Sequence, residues 1–113
     1  MMIRELPDRP EQATAYLDLS LGDRCEVTLY VYVNGVLYKH LTFVDASWAK
    51  QHDLAEGDSA DCKVSRAPDG STIISDTSKL PPRRACDKHT MDLAVKASHN
   101  EALAKVMERE ITI

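Results

Sequence analysis

The sequence predicts an α+β fold: a curved antiparallel sheet or small barrel of about five to six strands, with one short helix near Trp48 and one C-terminal helix. Three observations lead there. An Asn34-Gly35 turn joins two runs rich in Val, Tyr, Leu and Thr, the composition and turn of a tight β-hairpin. Ala60, Cys62 and Val64 alternate with Asp61, Lys63 and Ser65 ahead of Pro68-Asp69-Gly70, the pattern of a half-buried strand entering a second turn. Ser98-His99-Asn100-Glu101 has the form of a capping box before Ala102 to Met107, which predicts a helix from His99 to about Arg109.

Residues 1–12 read as an extended N-terminal arm, because prolines and charged side chains dominate residues 4 to 12. Residues 13–113 read as a single α+β domain. Tyr16, Leu17, Leu19 and Leu21 precede the Gly22-Asp23 turn and predict a first strand over residues 14 to 21. The two-residue loop at Asn34-Gly35 then sets the hairpin register. It pairs Val33 with Val36, Val31 with Tyr38, Leu29 with His40 and Val27 with Thr42 on one face. The other face receives Tyr32 with Leu37, Tyr30 with Lys39, Thr28 with Leu41, and Glu26 with Phe43. Since both faces are partly apolar, either a β-bulge shifts the second strand or the second face is covered. Cover by a helix or a second subunit over Tyr30, Tyr32, Leu37 and Phe43 is the favoured expectation.

Asp45 suits the N-cap of a brief helix from Ala46 to His52, with Trp48 its anchor in the core. A strand over 59 to 66 and another over 71 to 76 follow. Pro81-Pro82 lacks amide donors, so residues 77–88 are expected to form a Pro/Arg connector. Between 90 and 97 the apolar residues fit strand and helix spacing almost equally.

At 113 residues the chain is long enough to bury one core without disulfides or metal. Its 18 acidic and 14 basic side chains leave a net charge of -4, which creates no global attraction for nucleic acid or anionic lipid. Cys25, Cys62 and Cys86 are three and widely spaced, as in a reducing compartment, and no apolar run approaches membrane-span length. A cytoplasmic protein with no membrane partner is expected.

Candidate chemistry is sparse. Cys86 and His89 form a Cys-x-x-His that His52, Cys62 or His99 could in principle extend towards a zinc site. The favoured reading is a small partly buried thiol and a surface imidazole, with no cofactor and no metal. Arg83, Arg84 and Lys88 around Cys86 would favour a thiolate, yet no nucleophile–base set or phosphate-cradling loop accompanies it. No catalytic residues are assigned. Asp45, Asp53, Glu56, Asp58 and Asp61 cluster around the Gly57-Asp58 turn and are the candidate contacts for a protein partner with a basic surface. Reversing the charge of Asp53, Glu56 and Asp58 is expected to slow association and leave folding intact.

Leu41-Thr42-Phe43-Val44, then Asp45 to Asp58 and the strand to Val64, resembles the strand, short helix, Gly-Asp turn, strand unit of AbrB/MazE-type swapped-hairpin proteins. The likeness covers under a third of the chain. It implies an intertwined dimer that binds DNA through basic residues before and within the first strand. Lys39 is the positive charge there, and Val44 stands where such proteins carry a proline.

The expected function is that of a non-enzymatic small acidic protein that binds a macromolecular partner, with a homodimer plausible from the two-faced hairpin. In its narrowest form this is a phage- or mobile-element-encoded inhibitor of a host nucleic-acid-handling or defence complex. The alternatives are a swapped-hairpin DNA-binding regulator or antitoxin using Lys39, Lys50 and Lys63, and a metal- or thiol-dependent protein using Cys86 and His89.

Overall fold

The computed structural model describes residues 6–82 and 88–98. The chain runs β1 (Glu11–Ser20), β2 (Arg24–Val33), β3 (Val36–Asp45), α1 (Ala46–Gln51), β4 (Ser59–Arg66), β5 (Thr72–Lys79) and a second helix, α2, over 88–98. The strands form one open, curved, antiparallel sheet in the order β3-β2-β1-β4-β5, an α+β architecture as the sequence predicts.

The hairpin forms in the expected register, with Val33 opposite Val36 through to Arg24 opposite Asp45 and no shift between β2 and β3. Asn34 and Gly35 have φ of 51° and 78°, the left-handed pair that a two-residue hairpin turn needs. The bulge considered for β3 is therefore not there. It lies in β1, where the register against β2 shifts between Leu17 and Leu19.

The inner face of the sheet carries Ala13, Ala15, Leu17, Cys25, Val27, Leu29, Val31, Tyr38, Cys62 and Val64. Leu17, Leu29, Val27, Val31 and Val64 are among the largest fully buried side chains, each contributing about 1.5–3 kcal/mol by leaving water. Curvature brings the edge strands together, so that the hydroxyls of Thr42 on β3 and Thr72 on β5 lie 3.0 Å apart. Helix α1 plugs the same seam. Asp45 caps it by accepting from the Ser47 amide at 2.8 Å, Trp48 is buried, and the Trp48 indole donates to Thr77 Oγ1 at 3.1 Å.

Three boundaries differ from the sequence reading. Residues before Ala13 already belong to the core's surroundings: Leu6 is buried, and the Pro7 carbonyl accepts from the Arg66 amide at 2.8 Å. Strand β5 runs to Lys79, so the connector starts later than Thr77; as an edge strand, β5 tolerates the approach to Pro81. Residues 90–97 are helical, and Ser98 is itself within α2 rather than at its start. The expected helix from His99 to Arg109 lies outside the described residues.

Candidate interaction face

The outer face of the sheet holds the side chains that the inner core does not use. The bulge decides their arrangement. Leu17 faces Val27 inward, but Leu19 faces Glu26, whose neighbour on β3 is Phe43. The extra residue, Asp18, and Leu19 thereby both turn outward, as a bulge permits. Asp18 accepts from the Thr28 hydroxyl and pairs with the Lys88 ammonium.

Helix α2 covers one half of this face. Its half-buried positions are Lys88, Met91, Asp92, Val95 and Ser98, one stripe at helical spacing. The Tyr30 hydroxyl donates to Asp92 Oδ1 at 2.6 Å, and Lys39 Nζ stands 3.2 Å from the same oxygen. Ser98 Oγ accepts from the Leu37 amide at 3.0 Å. Beneath the helix, Tyr16 and Tyr30 meet edge to face, centroids 5.4 Å apart at 86°, a favoured aromatic geometry.

Electrostatics follow from this packing. Burial, then the hydrogen bond to Asp92 and the nearby negative charges, push the Tyr30 phenol well above its ordinary value. Partial burial pushes the Asp92 carboxyl upward, but Tyr30, Lys39 and Lys88 outweigh it and hold it below the usual carboxylate range.

The other half of the face is open. Leu19, Leu41 and Phe43 are 47%, 61% and 52% exposed, and the Arg24 guanidinium lies 4.9 Å from the Phe43 ring centroid. Leu19, Glu26 and Phe43 make a row across three adjacent strands, with Leu41 two residues along on the same face. Adjacent apolar side chains left in water on one face mark an interaction surface more often than scattered ones do. The edge beside it is guarded. The turn geometry aims the amides of Leu37, Lys39, Leu41 and Phe43 away from β2; Ser98 caps the first, and Lys39 places charge at the second.

No family model, no curated protein and no solved structure matches this chain. Its local chemistry must therefore carry the functional reading.

The five candidate acids do not form one free patch. Asp45 caps α1, and Asp58 Oδ2 accepts from the Ala55 amide at 2.8 Å. Glu56 Oε1 accepts from the Ser20 amide at 2.8 Å, and Asp61 accepts from Thr14 at 3.3 Å. Asp53 has a left-handed φ of 53°, and Lys79 lies 3.9 Å from its carboxylate and 3.6 Å from that of Asp58. The α1–β4 loop nevertheless sits beside the open patch, since Glu56 holds Ser20, Gly57 N donates to the Leu17 carbonyl, and Asp45 lies opposite Arg24.

Of the residues expected under cover, Tyr30 is buried and Leu37 half-buried, whereas Tyr32 and Phe43 are more than half exposed. Among the described residues no three His, Cys, Asp or Glu side chains group as metal ligands; His89 is exposed on α2, and Cys86 and His99 lie outside the described residues. Burial, with Asp61 nearby, pushes the Cys62 thiol up to about 12, which keeps it protonated and unreactive. Lys39 pairs with Asp92 and Lys63 with Asp76 at 3.8 Å, while Lys50 is exposed on α1. The 41–64 unit spans from β3 at one edge to β4 beyond β1. Among the described residues no helix is long and apolar enough to cross a membrane.

What sequence reasoning missed is Asp18, Leu19, Arg24 and Asp92. Leu17 and Leu19 share parity, so simple alternation puts both inside; only the pairing with β2 shows that one turns out.

Proposed function

We propose that this chain acts by binding a protein partner and not by catalysis, docking through the end of the outer face that bears Leu19, Leu41 and Phe43. The supporting observation is that three large apolar side chains, from the strands on either side of β2, stand in water around Glu26 on one face, two of them more than half exposed. Arg24 stacked on Phe43 and half-buried Glu26 give the patch polar groups at its centre, and Asp45 and Glu56 lie at its rim. An apolar centre with a charged rim is the anatomy of a specific protein interface. The rim acids favour a partner with basic side chains around an apolar ridge. In its finer form the bound surface is one that otherwise meets nucleic acid.

The test is affinity for the partner recovered from the native host, measured by calorimetry with purified components. Phe43→Glu and Leu41→Lys each place a charge in the centre of the contact and are expected to weaken binding by about 30-fold or more, the hot-spot scale. Both side chains are exposed, so the fold should survive. Unchanged affinity in both variants would remove the proposal.

A further inference from the structure

The outer face is buried where α2 lies on it. Thr28 and Tyr30 are 1% exposed and Tyr16 6%, whereas Tyr32, Leu41 and Phe43 on the same face exceed 50%. None of the described apolar side chains of the helix is fully buried. Met91 and Val95 are half-buried and Leu93 is 54% exposed. Its anchors are polar: Lys88 on Asp18, Asp92 on Tyr30 and Lys39, and Ser98 on the Leu37 amide. The Lys39 and Asp92 side chains are 34% and 38% exposed, so salt can screen their attraction. Most helical stability in proteins comes from tertiary packing, so α2 depends on this seat for its structure.

We propose that α2 is a strap regulating the open patch: docked, it separates Leu19, Leu41 and Phe43 from exposed Tyr32 near the hairpin turn, and released, it exposes one continuous surface through Thr28, Tyr16 and Tyr30. This rests on the proposal that the outer face binds a partner. The sheet does not need the strap to hold its inner core, because the fully buried aliphatic residues Leu17, Val27, Leu29, Val31 and Val64 pack on the opposite side. Release is thus a local opening and not unfolding.

Hydrogen exchange and binding of the apolar dye anilinonaphthalene sulfonate, both on the full chain, test it. Amides of α2 should exchange at least roughly a hundredfold faster than those of β2, and faster still on raising sodium chloride to about 1 M. Asp92→Ala and Lys88→Ala together should speed α2 exchange by roughly tenfold or more, leave β2 protection unchanged, and increase dye fluorescence. Adding Phe43→Glu to that variant should reduce the dye signal. Equal protection of α2 and β2 in the unaltered chain would overturn the strap, as would release of α2 without a gain in dye binding. Loss of β2 protection in the double variant would also overturn it, since α2 would then belong to the cooperative core. Failure of partner binding to respond to Phe43→Glu alone concerns the docking site and leaves the exchange result standing.

Discussion

The Tyr30 hydroxyl donates to Asp92 Oδ1 at 2.6 Å, joining the central part of β2 to a helix 62 residues further along the chain. The same oxygen takes Lys39 at 3.2 Å, so one carboxylate fastens α2 to both β2 and β3. Tyr30→Phe removes the donor and keeps the ring against Tyr16. Because Asp92 is about one-third exposed, water and Lys39 replace part of what is lost, and the cost should be about 1 kcal/mol, below the range of about 1.5–3 kcal/mol for a bond to a charged group. Exchange of α2 amides should show the effect while global denaturation moves little.

That bond also sets a pH window for docking. Asp92 is held below its ordinary pKa, so the unfolded chain takes up its proton first and stability rises with pH through that range. The contribution is complete above about pH 5 and is lost as pH falls through the folded value, below about 4. Tyr30 is raised, chiefly by burial, so its contribution is complete below its ordinary value of about 10 and is lost as pH climbs through the folded one. Exchange of α2 should therefore be slowest between about pH 5 and 10 after correction for intrinsic rates. A docked fraction that does not fall on acidification would show that Asp92 does not hold the helix.

The acidic loop should separate into structural and dispensable carboxylates. Asp58 accepts from the Ala55 amide and lies 3.6 Å from Lys79, whereas the Asp53 carboxylate is fully exposed and 3.9 Å from Lys79. Asp58→Ala should destabilise the chain by about 1 kcal/mol, since it frees a turn amide. Asp53→Asn, which suits the left-handed φ of 53°, should stay within about 0.5 kcal/mol of the unaltered chain. Urea denaturation reads both. Reversing Asp53, Glu56 and Asp58 together should therefore cost some stability as well as charge, since Glu56 and Asp58 each accept from a backbone amide.

How much of this was legible in the sequence depended on whether a local rule fixed it. Asn34-Gly35 demands a two-residue turn, and that turn dictates every pair from Val33–Val36 to Arg24–Asp45. Asp45 and Trp48 likewise announced α1 and its anchor. The position of β1 between β2 and β4 is a long-range choice that no turn encodes. Nor does alternation reveal the bulge at Asp18, because Leu17 and Leu19 look equivalent until one is paired with Val27 and the other with Glu26. The two-faced hairpin signalled a cover by a helix or a second subunit, but residues 90–97 fit either period, so the element that lies over Tyr30 could not be named, and Tyr32 and Phe43 stay exposed.

The seam between the sheet edges gives a last, independent test of how the curved core is closed. Trp48 is 9% exposed and its indole N–H donates to Thr77 Oγ1 on β5, while Thr42 and Thr72 touch across the same gap. Thr77→Val keeps the shape but leaves the indole donor to find water at the rim. A part-buried donor without its partner should cost about 1 kcal/mol. Trp48→Ala removes the plug itself and should cost about 3–5 kcal/mol, the range for deleting a large buried aromatic. Trp48 is the only tryptophan, so its fluorescence reports the seam directly in the first variant. A red shift in Thr77→Val with little change in the denaturation midpoint would mean that the edges part locally; a large fall in the midpoint would mean that closing the seam is cooperative with folding the whole sheet.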